Sequence, residues 1–255
     1  MSTTGIFGKL PCYGDFLSRD LNTHFVDVWD AWLQGYVSGT QEQLGESWLD
    51  IYLTSPIWRF AFSSGVIDEN NWAGIVLPSV DRVGRYFPFS IAKNIGALPP
   101  PVAMSAASAW YNNIEDIALQ ALEGETSVDE ILEMVNAVEL SSDSMYGTYA
   151  PTESLGGAII SMPFESESVA SVFPQLLHHT LTQSQQSYSL WSTRGSELVE
   201  PCVFFGKALP SASSAAAMLD GNWEASNWAR PFPLSAMKNE NENEGEMSGL
   251  GVYDE

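Results

Sequence analysis

The chain has 255 residues, a formal net charge of −22 and a hydrophobic fraction of 45%. That length and apolar content bury a sizeable core, in one large domain or two small ones. Acidity of this size repels phosphate backbones and anionic bilayers, so nucleic acid is excluded as an expected partner. No apolar run reaches the roughly 18 residues a spanning helix needs, so membrane insertion is not expected. The opening "MSTTGIFGKLPCYGDF" lacks the basic and long apolar regions of a signal peptide. The two cysteines, Cys12 and Cys202, are too few for a disulfide framework, and a cytoplasmic location with reduced thiols is the simplest expectation. Nine tryptophans point to an aromatic core, an aromatic interface, or both.

In chain order, "GIFGKL" (5–10) reads as an opening strand and "PCYGDFLSRDLN" as a loop rich in turn residues. Phe25, Val28, Trp29, Trp32, Leu33, Tyr36 and Val37 recur at helical spacing, which predicts an amphipathic helix with Asn22 as its N-cap. "TQEQ" at Thr40 fits a capping box and predicts a second helix that carries Leu44, Trp48, Leu49 and Tyr52 and stops at Pro56. Strands are expected at 57–62, 73–78 and 85–95. After the proline run 99–101, a helix presents Trp110, Ile114, Ile117 and Ala121 on one face. "SVDE" at 127–130 caps another, bearing Ile131, Met134, Val135 and Val138.

Residues 139–155 read as a loop and 156–162 as a buried strand. A helix near 168–184 either kinks at Pro174 or begins just before it. Strands at 188–193 and 202–209 and a short alanine-rich helix at 211–220 complete the pattern. The expected fold class is α/β (α+β): a single layered sandwich, with a mixed, largely antiparallel sheet flanked by helices. Residues 1–235 form one domain in this reading, and 236–255 form an acidic disordered tail. From Lys238 onward that tail holds six acids and one lysine, a net of −5.

Catalytic and cofactor signatures are weak. Gly5–Leu10 is too short for a phosphate loop and has Leu10 where a hydroxyl is needed. His178 and His179 are adjacent, so on a helix they point about 100° apart and do not readily share a metal. Cys12 and His24 form a nucleophile–base pair only if folding joins them. No cofactor is expected. The informative feature is the placement of cations. Lys9, Arg19, Arg59, Arg82 and Arg85 all precede residue 90 and lie near turns holding Asp15, Asp20 and Asp81. Alternation along 85–91 puts Arg85 on the side of Phe87, Phe89 and Ile91, so Arg85 is expected to face the core, paired with Asp81 or Asp15. Arg82 is expected in the turn, facing solvent or a partner. Lys9, Asp15, Arg19, Asp81, Arg82 and Arg85 are thus the candidate motif or interface residues, either as a buried ion pair pinning a loop or as a groove for an acidic peptide, phosphate or carboxylate.

"GIFGKLPCYGDFLSR", "FVDVWDAWLQ", "SWLDIYLTSPIWRFAF", "WAGIVLPSVDRVGRYFPFS", "YSLWSTRGS" and "FFGKALP", in this order over about residues 5–220, closely resemble the TagF (ImpM) family of type VI secretion-associated proteins. The resemblance implies a compact α/β sandwich with some likeness to longin-type adaptor domains. It implies a bacterial, cytoplasmic, non-enzymatic repressor that acts after translation through protein–protein contact. The implied partner is the forkhead-associated scaffold Fha. Some members carry a fused phosphatase domain, which is not expected here. The competing expectations are a structural or assembly subunit of the secretion machine, or a hydrolase using Cys12 or His178. The sequence leaves the oligomeric state open.

Overall fold

The computed structural model describes residues 3–140, 161–162 and 168–229. Strand β1 (Thr4–Gly8) opens the chain and β2 (Leu17–Arg19) folds back on it. Helix α1 (Thr23–Leu44) follows, and Asn22 caps it as the sequence predicts, its side-chain oxygen accepting from the Phe25 amide at 2.7 Å. The helix does not end near Val37. Thr40 is not an N-cap but a buried residue inside α1. Its hydroxyl donates to the Val37 carbonyl and accepts from Trp48 Nε1 at 2.9 Å. This tertiary hydrogen bond uses the group that a capping box would need. Gly45, at φ 55°, ends the helix, and α2 (Trp48–Leu53) begins after one tight turn.

Next come β3 (Trp58–Phe62), β4 (Asn71–Leu77) and β5 (Phe89–Gly96). Helix α3 (Pro100–Ala106) uses its prolines in the first turn, where a missing amide is harmless. Helix α4 (Ser108–Leu122) and helix α5 (Val128–Ala137) follow, the latter with the predicted capping box of Ser127 and Glu130. Helix α6 (Phe173–Ser184) begins just before Pro174, the second of the two alternatives. Strands β6 (Ser189–Thr193) and β7 (Cys202–Gly206) and the short α7 (Ala217–Asp220) complete the described chain. The expected strand at 156–162 and loop at 139–155 lie almost entirely outside the described residues, and the expected acidic tail lies wholly outside them.

The seven strands form one sheet in the order β2-β1-β5-β4-β3-β6-β7, and every pairing is antiparallel. Alternation in the central strands feeds two cores. Phe7, Trp58, Phe60, Phe62, Trp72, Val76 and Trp191 face α1 and α2. Ile6, Ala73, Ile75, Leu77, Phe89 and Ile91 face α4 and α5. Both faces are covered, which is why the strands read as nearly continuous apolar runs, and the predicted sandwich is what forms. Most of the tryptophans are core. Trp29 of α1 is fully buried, lies 5.0 Å from the Phe60 ring and 6.3 Å from Trp191, and donates to Ser90 Oγ at 3.0 Å. At Gly74 of β4, a Cβ would sit 2.2 Å from the Ile91 carbonyl oxygen and 2.5 Å from the Phe60 ring. Only glycine leaves room for that ring beside the β4 backbone.

Trp29→Ala is expected to lower unfolding free energy by about 3–5 kcal/mol, since it opens a cavity and orphans Ser90; denaturant unfolding followed at equilibrium checks this, and a loss well under that range contradicts the central placement of the ring.

Candidate functional site

Two loops meet at one end of β1, and most of the candidate cations meet with them. Gly8 ends β1 at φ 122°, a conformation that side chains rarely adopt, and a Cβ there would collide with the Pro88 carbonyl at 2.0 Å. This bend turns Lys9 inward. The Lys9 carbonyl accepts from Ser79 Oγ at 2.7 Å, and Ser79 is clamped through its own amide and carbonyl by the Tyr52 hydroxyl. Lys9 Nζ then reaches Asp81 Oδ2 at 3.2 Å, with both side chains shielded from solvent.

Asp81 is the hub. Its Oδ1 accepts from the amides of Val83 (3.0 Å) and Arg85 (2.9 Å), and its Oδ2 accepts from Arg85 Nε at 2.6 Å. Burial alone would raise the carboxyl pKa. The amide and guanidinium of Arg85, with Lys9 and the Val83 amide, overcome that and hold it well below the usual carboxylate range.

The capture of two amides by Asp81 also explains why the strand predicted from residue 85 starts only at Phe89. Residues 79–87 form a tight hairpin turn around Gly84. Strand alternation therefore does not apply at Arg85, and the expectation that Arg85 faces the core is wrong: its side chain is 54% exposed. The buried cation is Lys9. Arg85 bridges outward instead, from Asp81 to the Gly14 carbonyl at 2.7 Å, and so ties the two loops together.

The neighbouring Gly14–Phe16 segment is held from several sides. The Arg82 amide donates to the Tyr13 carbonyl at 3.1 Å, and the Arg82 guanidinium lies over Gly14, where a Cβ would come within 3.3 Å of it. Asp15 accepts from the Phe16 amide at 2.8 Å, which shapes the turn. Phe16 packs edge-on against Phe87 at 4.8 Å, and Lys9 Nζ sits 4.8 Å over its ring. Tyr86 meets Trp48 and Tyr52 edge-on. Among the described residues the Arg82 side chain has no hydrogen bond or ion pair, in agreement with the expectation that it faces outward. Arg19 does not join the group: it lies on β2 and donates to its neighbour's carbonyl, Ser18 O, at 2.8 Å.

The result is a rigid apex. It exposes Tyr13, Phe16, Val83, Tyr86 and Arg82, with Val83 at 66% and Phe16 at 46%. Lys9, Arg82 and Arg85 outnumber Asp15 and Asp81 there by one charge, in a chain whose net is −22. Sequence reasoning singled out the charged residues by number and expected aromatic anchors without locating them. The available signal was a run of apolar side chains inside turn sequences, "YGDF" and "VGRY", where polar residues are the rule.

The other sequence candidates fall elsewhere. Arg59 forms a two-pronged pair with Glu115 (2.6 and 2.7 Å), binds Asn112 Oδ1 at 2.8 Å and lies over the Tyr111 ring. Arg194 approaches Asn112 and Glu115 from the end of β6. This network fastens α4 to the sheet. His24 Nε2 is engaged with the Ile67 carbonyl at 3.0 Å, not with Cys12, whose thiol pKa is pushed up by burial. His178 Nδ1 is 2.6 Å from the Tyr188 hydroxyl, and its pKa is lowered by burial and by His179. Among the described residues no group of three or more His, Cys, Asp or Glu side chains could hold a metal ion, and no helix is long and apolar enough to cross a membrane.

Removing Asp81 leaves Lys9 buried without a counter-charge, so Asp81→Ala is expected to cost about 3–5 kcal/mol, whereas Arg82→Ala should cost under about 1. Lys9→Ala should exceed Arg85→Ala, the reverse of what strand alternation implies. Thermal unfolding of the four variants checks the order. Asp81 also sets an acid limb. Its folded pKa lies below its unfolded value near 3.9, so its contribution is full above that pH and fades as pH falls below it. Stability measured against pH should show a shallower acid limb in Asp81→Asn; an unchanged limb contradicts the hub.

A family model described as the TagF N-terminal domain, type VI secretion system-associated, matches residues 5–138. A crystal structure of PA0076 from Pseudomonas aeruginosa PAO1 superposes with a TM-score of 0.73 at 30% sequence identity, covering 92% of this chain and 99% of that one. No curated protein matches. The matched span runs from Gly5 within β1 through α5, hence over both loops of the apex. The chain belongs to the TagF family of type VI secretion system-associated proteins.

Proposed function

We propose that this protein is a non-enzymatic accessory factor that restrains type VI secretion after translation, by binding the forkhead-associated scaffold Fha through the apex. The observation that carries this reading is the pairing of an exposed display with a fixed frame: aromatic and arginine side chains stand on loops locked by a buried carboxylate. Interface hot spots are enriched in Tyr, Trp and Arg, and rigid anchors forfeit little entropy on binding. Arg82 is suited to a carboxylate or phosphate on the partner, because its planar guanidinium donates two parallel hydrogen bonds. Repression follows by occupancy, since a scaffold surface covered by this chain is closed to assembly. Cys12 and His178 supply no support for hydrolysis. A thiol whose pKa is raised is a poor nucleophile at neutral pH, and His178 is turned toward Tyr188.

Deleting the gene should raise type VI secretion, and restoring the wild-type chain should lower it. An Arg82→Glu, Phe16→Ala variant that melts like wild type should neither lower secretion nor retain Fha on co-purification. A deletion that abolishes secretion points to a structural subunit instead. A variant that still represses removes the apex from the mechanism.

A further inference from the structure

The sheet has two edges, and they are built differently. The β2 edge is three residues long, ends in Arg19, and turns away at Asp20 with φ 58°. Short length, charge and an abrupt turn are the usual protections of an edge. The β7 edge has none of them. Its five residues, Cys202-Val-Phe-Phe-Gly206, carry no charge, and among the described residues no strand pairs with its outer side.

Phe204 faces inward, stacked on Trp191 at 6.0 Å and edge-on to Trp228 at 4.6 Å. Val203 and Phe205 point to the other face, opposite Ser192 and Leu190 of β6, and are 68% and 58% exposed. Helix α6 lies over that same face, with Leu181 grouped with Leu190, while its Phe173 and Leu177 are exposed. An uncharged edge with bare apolar side chains is a template for another strand.

We infer that β7 pairs with β7 of a second copy of this chain, antiparallel about a two-fold axis at Phe204, joining two sheets into one. Self-complementarity carries this choice. The register centred on Phe204 is the one that pairs all five residues. It sets Val203 against Phe205 of the second copy and Phe205 against its Val203, two aromatic–β-branched cross-strand pairs on one face. The same register sets the exposed Lys207, just beyond the strand of one copy, at the same end of the pairing as the exposed Glu200 that precedes the strand of the other. The two-fold axis repeats that arrangement of opposite charges at the other end. Opposite charges at the two ends of the strand therefore complement a reversed copy and disfavour a slipped one. The net charge of −22 opposes association at long range, but salt at about 0.1 M screens charges beyond about 10 Å, so the contact is governed by what lies at the edge.

Sedimentation velocity of the full chain at physiological ionic strength, over a wide concentration range, tests this. Wild type should sediment as a reversible dimer with twice the mass of one chain. Val203→Lys with Phe205→Lys should abolish the dimer while the circular dichroism spectrum stays unchanged. Glu200→Lys and Lys207→Glu should each weaken it, and the two together should restore it. This charge exchange decides the matter even if the lysine variant misfolds. A wild-type chain that stays monomeric at every concentration overturns the inference. So does a dimer that survives the lysine variant in folded form, or a double charge exchange that fails to restore what the single changes lose.

Discussion

One buried carboxylate organises the family-marking half of this molecule. Asp81 neutralises Lys9 at the end of β1, fixes the amides of its own turn and holds Arg85, which in turn reaches the Gly14 carbonyl of the preceding loop. Three separate stretches of chain are thus tied through two oxygens. A buried ion pair of this kind contributes little net stability over an apolar replacement, but losing one partner is costly because the other is stranded. The consequence is specificity of shape. The loops on either side of Asp81 have one arrangement, and the side chains projecting from them are presented in one geometry.

That division between frame and display follows the two ways in which the residues meet solvent. Lys9, Asp81, Ser79 and Tyr52 are buried, and each has a partner that cannot be exchanged without leaving a polar group unsatisfied. Arg82 and Val83 are exposed and contribute little to the fold, and Phe16 keeps 46% of its surface exposed while packing on Phe87 and Lys9, which leaves all three open to contact with another protein. Gly8 and Gly84 serve the frame, each at a positive φ, the first to turn Lys9 inward and the second to close the turn. The β7 edge lies at the far end of the strand order, separated from β1 by β5, β4, β3 and β6. A dimer through that edge therefore leaves both apices free, and each assembled pair presents two of them.

Local determinants were the legible part of the sequence. The Asn22 cap and the Ser127–Glu130 box depend on neighbours within a few residues, and each forms where the pattern places it, while α6 takes the second of the two courses that Pro174 leaves open. The spacing of Phe25, Trp29, Leu33 and Tyr36 likewise located the buried face of α1. Thr40 and Arg85 were misread for a shared reason. At each, a distant or turn-specific hydrogen bond replaced the local rule: Trp48 occupies the Thr40 hydroxyl, and Asp81 takes the amide that would have carried Arg85 into a strand. Strand β2 was hidden because three residues are too few to show alternation, and its pairing is dictated by β1. The charges of the site were legible as composition. Which cation is buried was not, because it depends on the backbone bend at Gly8 rather than on any periodicity.

Hydrogen–deuterium exchange of the full chain, alone and with purified Fha, addresses the central claim most directly. Binding through the apex should add protection in the peptides covering 12–17 and 80–87 and leave the β3–β4 hairpin unchanged. Protection confined to other surfaces, or no change on adding Fha at saturating concentration, would contradict it.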